Sequence, residues 1–126
     1  MTAVAAVVLC VLLVCLAVFQ LALLVGAPLG HFAWGGRDRV LPTTKRVGSA
    51  ISIVLYALFA LIVLERSGFA ALLPSRTISV VGIWFLFAYF VIGIAMNALS
   101  RSKPERMTMT PVCALLAALT LVVALS

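Results

Sequence analysis

The sequence predicts an all-α fold, a polytopic membrane protein built as a four-transmembrane-helix bundle in one domain. Three observations predict it. Of the 126 residues, 66% are apolar and only 10% charged, with a mean hydropathy of +1.34. Soluble domains run nearer half apolar and a quarter charged, so this chain lacks the polar surface to cover such a core in water. The apolar residues also fall into four runs, each close to the roughly 20 residues a helix needs to cross about 30 Å of hydrocarbon. Finally, glycine, proline and nearly all the charge collect between those runs.

The first span covers residues 4–25, "VAAVVLCVLLVCLAVFQLALLV", interrupted only by Gln20. A cleaved signal peptide carries a basic segment ahead of a short apolar core. Nothing basic precedes Arg37, so this run is expected to remain as a membrane helix. The second span covers residues 47–64 and can begin earlier, because Thr43 or Thr44 after Pro42 can cap a helix that starts at the interface. Glu65, Arg66 and Gly68 end it.

A third span is expected over residues 78–99, with Ser75 or Thr77 after Pro74 as the cap. Gly82, Leu86, Tyr89, Gly93 and Asn97 succeed one another at three- or four-residue steps and share one face. Small residues on such a face let a neighbouring helix approach closely, which makes it the expected packed seam. The last span, residues 107–126, belongs to a helix that starts upstream. Ser102-Lys103-Pro104-Glu105 fits the S-x-x-E capping box, with Ser102 as cap and Glu105 reaching back to it. Pro111 inside that helix removes one backbone donor and predicts a kink.

The two basic loops, residues 26–46 and 100–106, lie on the same side of the membrane in this topology. They hold seven of the nine basic residues: Arg37, Arg39, Lys45, Arg46, Arg101, Lys103 and Arg106. The positive-inside rule then puts both loops in the cytoplasm and both termini outside, in a cell (inner or plasma) membrane. The net charge of +6 reads as attraction to an anionic leaflet. No nucleic-acid partner is expected, because no basic face interleaved with aromatics exists outside the loops. Cys10, Cys15 and Cys113 sit in apolar runs at spacings that match no zinc or redox motif, so neither metal nor cofactor is expected.

The segment "GAPLGHFAWGGRDRVLP", Gly26–Pro42, concentrates four of the eight glycines and the single histidine. Gly26, Pro28 and Gly30 stop the first helix. His31 and Trp34 have the apolar body and polar edge that suit the headgroup zone, and Gly35-Gly36 permits a turn before Arg37-Asp38-Arg39. One reading is a depth anchor for the hairpin, with Asp38 paired to a nearby arginine. A sharper one is an anion site for lipid headgroups, built from the Gly35-Gly36 amides with Arg37 and Arg39 and faced by Arg101, Lys103 and Arg106. Both readings allow an inter-loop clasp in which Trp34, Arg37 and Asp38 meet Ser100, Arg101 and Glu105. Asp38 would pair with Arg101 or Arg106, and Glu105 with Arg37 or Arg39.

Catalysis has little to build on. Asp38, Glu65 and Glu105 are the only acids and His31 the only imidazole, and no nucleophile has a base placed by a motif. The expectation is a non-enzymatic helical module that binds lipid or a partner membrane protein. The alternative is a small dimeric channel or transporter, matching such proteins in size and span count. No ionisable residue lies at mid-membrane, where a coupled transporter keeps one. Gln20, Ser52, Asn97 and Thr120 are the only candidates for a polar path.

The pairing of "GAPLGHFAWGGRDRVLP" with "NALSRSKPERMTMTPV" resembles a group of small, uncharacterised four-span bacterial integral membrane proteins with no assigned activity. The resemblance is carried by Pro28, Gly30, Trp34, Gly35, Gly36, Pro42, Asn97, Ser100, Arg101, Ser102, Glu105, Arg106 and Pro111. Leu29 stands where these proteins carry a second aromatic. It implies a small bacterial membrane protein and brings no substrate or cofactor with it.

Overall fold

A computed structural model describes all of residues 1–126. It contains four long α-helices and no strand: α1 Thr2–Leu24, α2 Thr43–Ser67, α3 Arg76–Ala98 and α4 Lys103–Leu125. Each is 23 or 25 residues long, about 35 Å at 1.5 Å per residue, which exceeds the hydrocarbon thickness. All four are long and apolar enough to cross a membrane. The chain is a multi-pass membrane protein with an all-α four-helix bundle.

The helices run up and down in sequence order, and each packs against its chain neighbours, with α4 closing the ring against α1. Two helices extend beyond their apolar runs. The Thr43–Arg46 segment is the first turn of α2, and Lys103–Arg106 is the first turn of α4. Outside hydrocarbon these polar residues cost nothing to solvate, and they lengthen each helix into the interface. Pro104 occupies the first turn of α4, where its missing N–H has no partner to lose.

The core is a seam of Leu9, Leu13, Phe59, Val63, Ile83, Leu86, Phe90 and Leu116, all nearly inaccessible. Helix packing in lipid gains from close van der Waals fit rather than from water release, so small residues matter at the contacts. Ala6 of α1 is fully buried. Gly82 of α3 faces Ile62 of α2, and Gly93 faces Cys113 of α4. The expected seam of α3 is therefore packed at Gly82, Leu86, Gly93 and Asn97, whereas Tyr89 keeps 39% of its surface exposed. Its ring stands edge-on to Phe59 at 5.0 Å between centroids. On α1 the outward face is a stripe of Val4, Val7, Val11, Val14 and Val18 at three- and four-residue steps. With no polar atom to satisfy, such a stripe suits lipid tails.

The end opposite the basic loops is tied by backbone-directed side chains. Glu65 Oε1 accepts from the N–H groups of Leu72 and Leu73 (2.9 Å for Leu73), which closes the α2–α3 connection. Arg66 donates to the carbonyls of Ala124 and Ser126, satisfying the last turn of α4. Ser75 caps α3 by accepting from the Thr77 N–H.

Candidate functional site at the basic-loop end

The segment after α1 folds back over the bundle as two short 3-10 turns, Gly30–Phe32 and Trp34–Gly36. The Gly30 N–H donates to the Arg39 carbonyl at 2.8 Å, which closes the segment into a compact loop. Leu23, Ala33 and Leu41 form a small apolar core of their own beneath it. Trp34 has a left-handed φ of 54°, unusual for a bulky residue, and its indole packs against α2 at Gly48. A Cβ on Gly48 would stand 2.7 Å from indole Cζ2. Gly48 is thus the seat of Trp34, a role that nothing in the local sequence of α2 marks.

This loop meets the α3–α4 connection through Ser102. The Ser102 hydroxyl donates to the His31 carbonyl, and Gly36 packs directly on the Ser102 side chain. Gly36 has φ +72°, and any Cβ there would enter Ser102. The expected capping box is replaced by this contact. Ser102 makes no side-chain cap bond within α4, its own N–H is taken by Ser100 Oγ at 3.1 Å, and Glu105 does not reach back to it. A carbonyl presented by the other loop has won the hydroxyl.

The expected charge pairs are also different. Asp38 pairs with Lys45 at 2.5 Å, the only ion pair in the chain, rather than with an arginine of either loop. Lys45 sits in the first turn of α2, seven residues on, so the local partner needs little chain to be ordered. Glu105 pairs with neither Arg37 nor Arg39. Arg37, Arg39 and Arg101 are exposed, and Arg106 donates instead to the Ser100 carbonyl at 3.0 Å. The Gly36 N–H is given to the Ala33 carbonyl at 2.8 Å. That donor is spent inside the loop, which leaves only the Gly35 N–H of the glycine pair without a partner.

What the loop does cover is a cavity of about 350 Å³ within the bundle. All four helices contribute, and Phe32, Ala33 and Trp34 line it from the loop. Most of its wall is apolar, including Phe19, Phe90, Met109 and Leu116. Ile92 and Met96 of α3 line it and are also exposed, at 62% and 68%. The mouth therefore opens beside the last two turns of α3, within about 9 Å of that helix end.

A few polar groups converge on the same space: Gln20, Tyr56, Tyr89, Asn97 and Glu105. Glu105 is only 6% exposed. Asn97 Nδ2 donates to the Gly93 carbonyl at 2.7 Å and to Cys113 Sγ at 3.4 Å. Gln20 Oε1 is buried without a partner. Asn97 and Glu105 are marked in the sequence as site candidates, Gln20 only as a candidate for a polar path and Tyr89 only as part of the α3 seam, while Tyr56 carries no signal beyond ordinary packing. No group of histidine, cysteine and acidic side chains is arranged to hold a metal ion. No family model matches the chain, and no match was found among curated proteins or solved structures.

Proposed function

We propose that this protein is a non-enzymatic membrane module that binds a lipid-like amphiphile in the cavity under the Gly26–Pro42 loop. The observation that carries the reading is the cavity itself: an apolar chamber with a few convergent polar groups, its mouth beside the exposed apolar side chains of Ile92 and Met96. Apolar walls suit a chain, and the polar groups near the loop suit a head. Three of the four candidates for a polar path support binding over conduction. Ser52, Asn97 and Thr120 each donate to a carbonyl of their own helix, as packing side chains in membranes do.

The seven basic residues at the loop end support a cytoplasmic placement of that end, by the positive-inside rule. There Arg37, Arg39, Arg101 and Lys103 hold the loops against an anionic leaflet. An impermeant maleimide should fail to label Arg39→Cys in intact cells, and labelling would reverse this orientation.

The binding reading is tested by photolabelling. A diazirine-bearing amphiphile in proteoliposomes is expected to mark Met96, Met109 and Val112, and Met109→Trp should suppress that labelling by filling the chamber. Labelling spread evenly over the α1 valine stripe, and unchanged in Met109→Trp, would show a surface in bulk lipid and no binding site.

A further inference from the structure

Glu105 is the one formally charged side chain that lines the cavity, and no lysine, arginine or histidine lines it. That is unexpected in a protein of net charge +6 whose basic residues crowd the same end. Glu105 is 94% covered as a residue, and its place in the first turn of α4, where free backbone N–H groups favour an anion, is the only compensation the chain gives its carboxylate. No cationic group comes within 4.0 Å of it, it makes no hydrogen bond, and its capping assignment has been displaced by the Ser102–His31 contact.

A second unsatisfied acceptor faces the same space, because Gln20 Oε1 is buried and unpartnered. Asn97, with its amide nitrogen already donating twice, adds a carbonyl oxygen. The remaining polar groups are two tyrosine hydroxyls, which accept as readily as they donate, the Cys113 thiol and the single indole N–H of Trp34. The chamber thus holds acceptors in excess, one carboxylate, and aromatic rings from Phe19, Tyr56, Tyr89 and Phe90. Aromatic faces and a carboxylate attract the same kind of head, a cation that donates hydrogen bonds.

Resting on the amphiphile-binding reading, we infer that the ligand's head is a protonated amine, held by Glu105 and Gln20, with its alkyl chain along the apolar wall toward Met96. The basic loops contribute nothing to the grip on such a head. Arg106 is tied to the Ser100 carbonyl, Lys45 to Asp38 and Arg46 to the Leu41 carbonyl, and Arg37, Arg39, Arg101 and Lys103 are exposed.

The test compares three ligands of one chain length by titration calorimetry of the purified full chain in a neutral maltoside detergent: decylammonium, decanol and decyl sulfate. Decylammonium is expected to bind at least about tenfold more tightly than decanol, and decyl sulfate most weakly, as a desolvated charge pair gives. Glu105→Gln should bring decylammonium down to the decanol level while leaving decanol binding intact, which also shows that the variant folds. Should that variant fail to fold, Gln20→Leu gives the same comparison, with a loss of about threefold or more for decylammonium alone. Equal binding of all three ligands, abolished by Met109→Trp, would overturn the cation inference and leave the amphiphile reading standing. Tighter decyl sulfate binding would overturn it in favour of the basic residues. No saturable binding of any ligand would remove both.

Discussion

Gly35 and Gly36 offer a matched pair of substitutions that measures the contact between the two loops. Both have a left-handed backbone, φ +75° and +72°, so alanine at either costs about 1 kcal/mol of backbone strain. Their surroundings differ completely. A Cβ on Gly35 meets nothing within 4 Å, whereas one on Gly36 lands 2.5 Å from Ser102 Oγ and 3.2 Å from the His31 carbonyl oxygen. Relieving that overlap means moving the loops apart, an overpacking cost of about 1–3 kcal/mol. It also breaks the Ser102–His31 hydrogen bond, worth about 1 kcal/mol. Gly35→Ala should therefore destabilise by about 1 kcal/mol and Gly36→Ala by about 3 kcal/mol or more. The assay is equilibrium unfolding in mixed dodecyl sulfate and maltoside micelles, followed by far-UV circular dichroism. Ser102→Gly removes the atoms in conflict, so the double variant with Gly36→Ala should recover at least about 1 kcal/mol relative to additivity. Equal costs for the two alanines, or strict additivity with Ser102→Gly, would refute the inter-loop contact.

Other consequences follow from neighbouring parts of the structure. Gly48→Ala should displace the Trp34 indole and shift its emission in a Trp84→Phe background; an unchanged spectrum would mean that the ring does not sit on α2. Asp38→Asn should cost less than about 1 kcal/mol, with the loss shrinking at high salt, because the pair with Lys45 is a quarter to a third exposed. Glu65→Ala leaves the Leu72 and Leu73 amides without their carboxylate. It should cost about 2 kcal/mol and open the α2–α3 connection to protease, which wild type should resist.

The architecture was legible because four apolar runs of membrane length leave few alternatives, and polar residues flanking them only lengthen the helices. The site was legible in part. Concentration of glycine, histidine, tryptophan and charge marked the Gly26–Pro42 loop and the Asn97–Arg106 segment, and the structure brings the two together at Ser102, His31 and Gly36. The pairings within them were not legible. A capping box is a local pattern, and the His31 carbonyl that displaces it lies 71 residues away. Asp38 had arginines to choose from, yet the lysine that ordering of α2 delivers beside it takes the bond. Gln20, Tyr56 and Tyr89 converge only because three helices meet around one gap, and no single helix's periodicity records that gap.

A ligand held in the cavity and one held by the basic loops are separated by native mass spectrometry of the protein released from mixed-lipid nanodiscs, comparing wild type, Met109→Trp and the Arg37→Gln/Arg101→Gln double variant. The account predicts one retained amphiphile in wild type, kept when the two arginines are neutralised and lost when the cavity is filled. An amphiphile that survives Met109→Trp but disappears with Arg37 and Arg101 would contradict the account and place the binding surface on the basic loops.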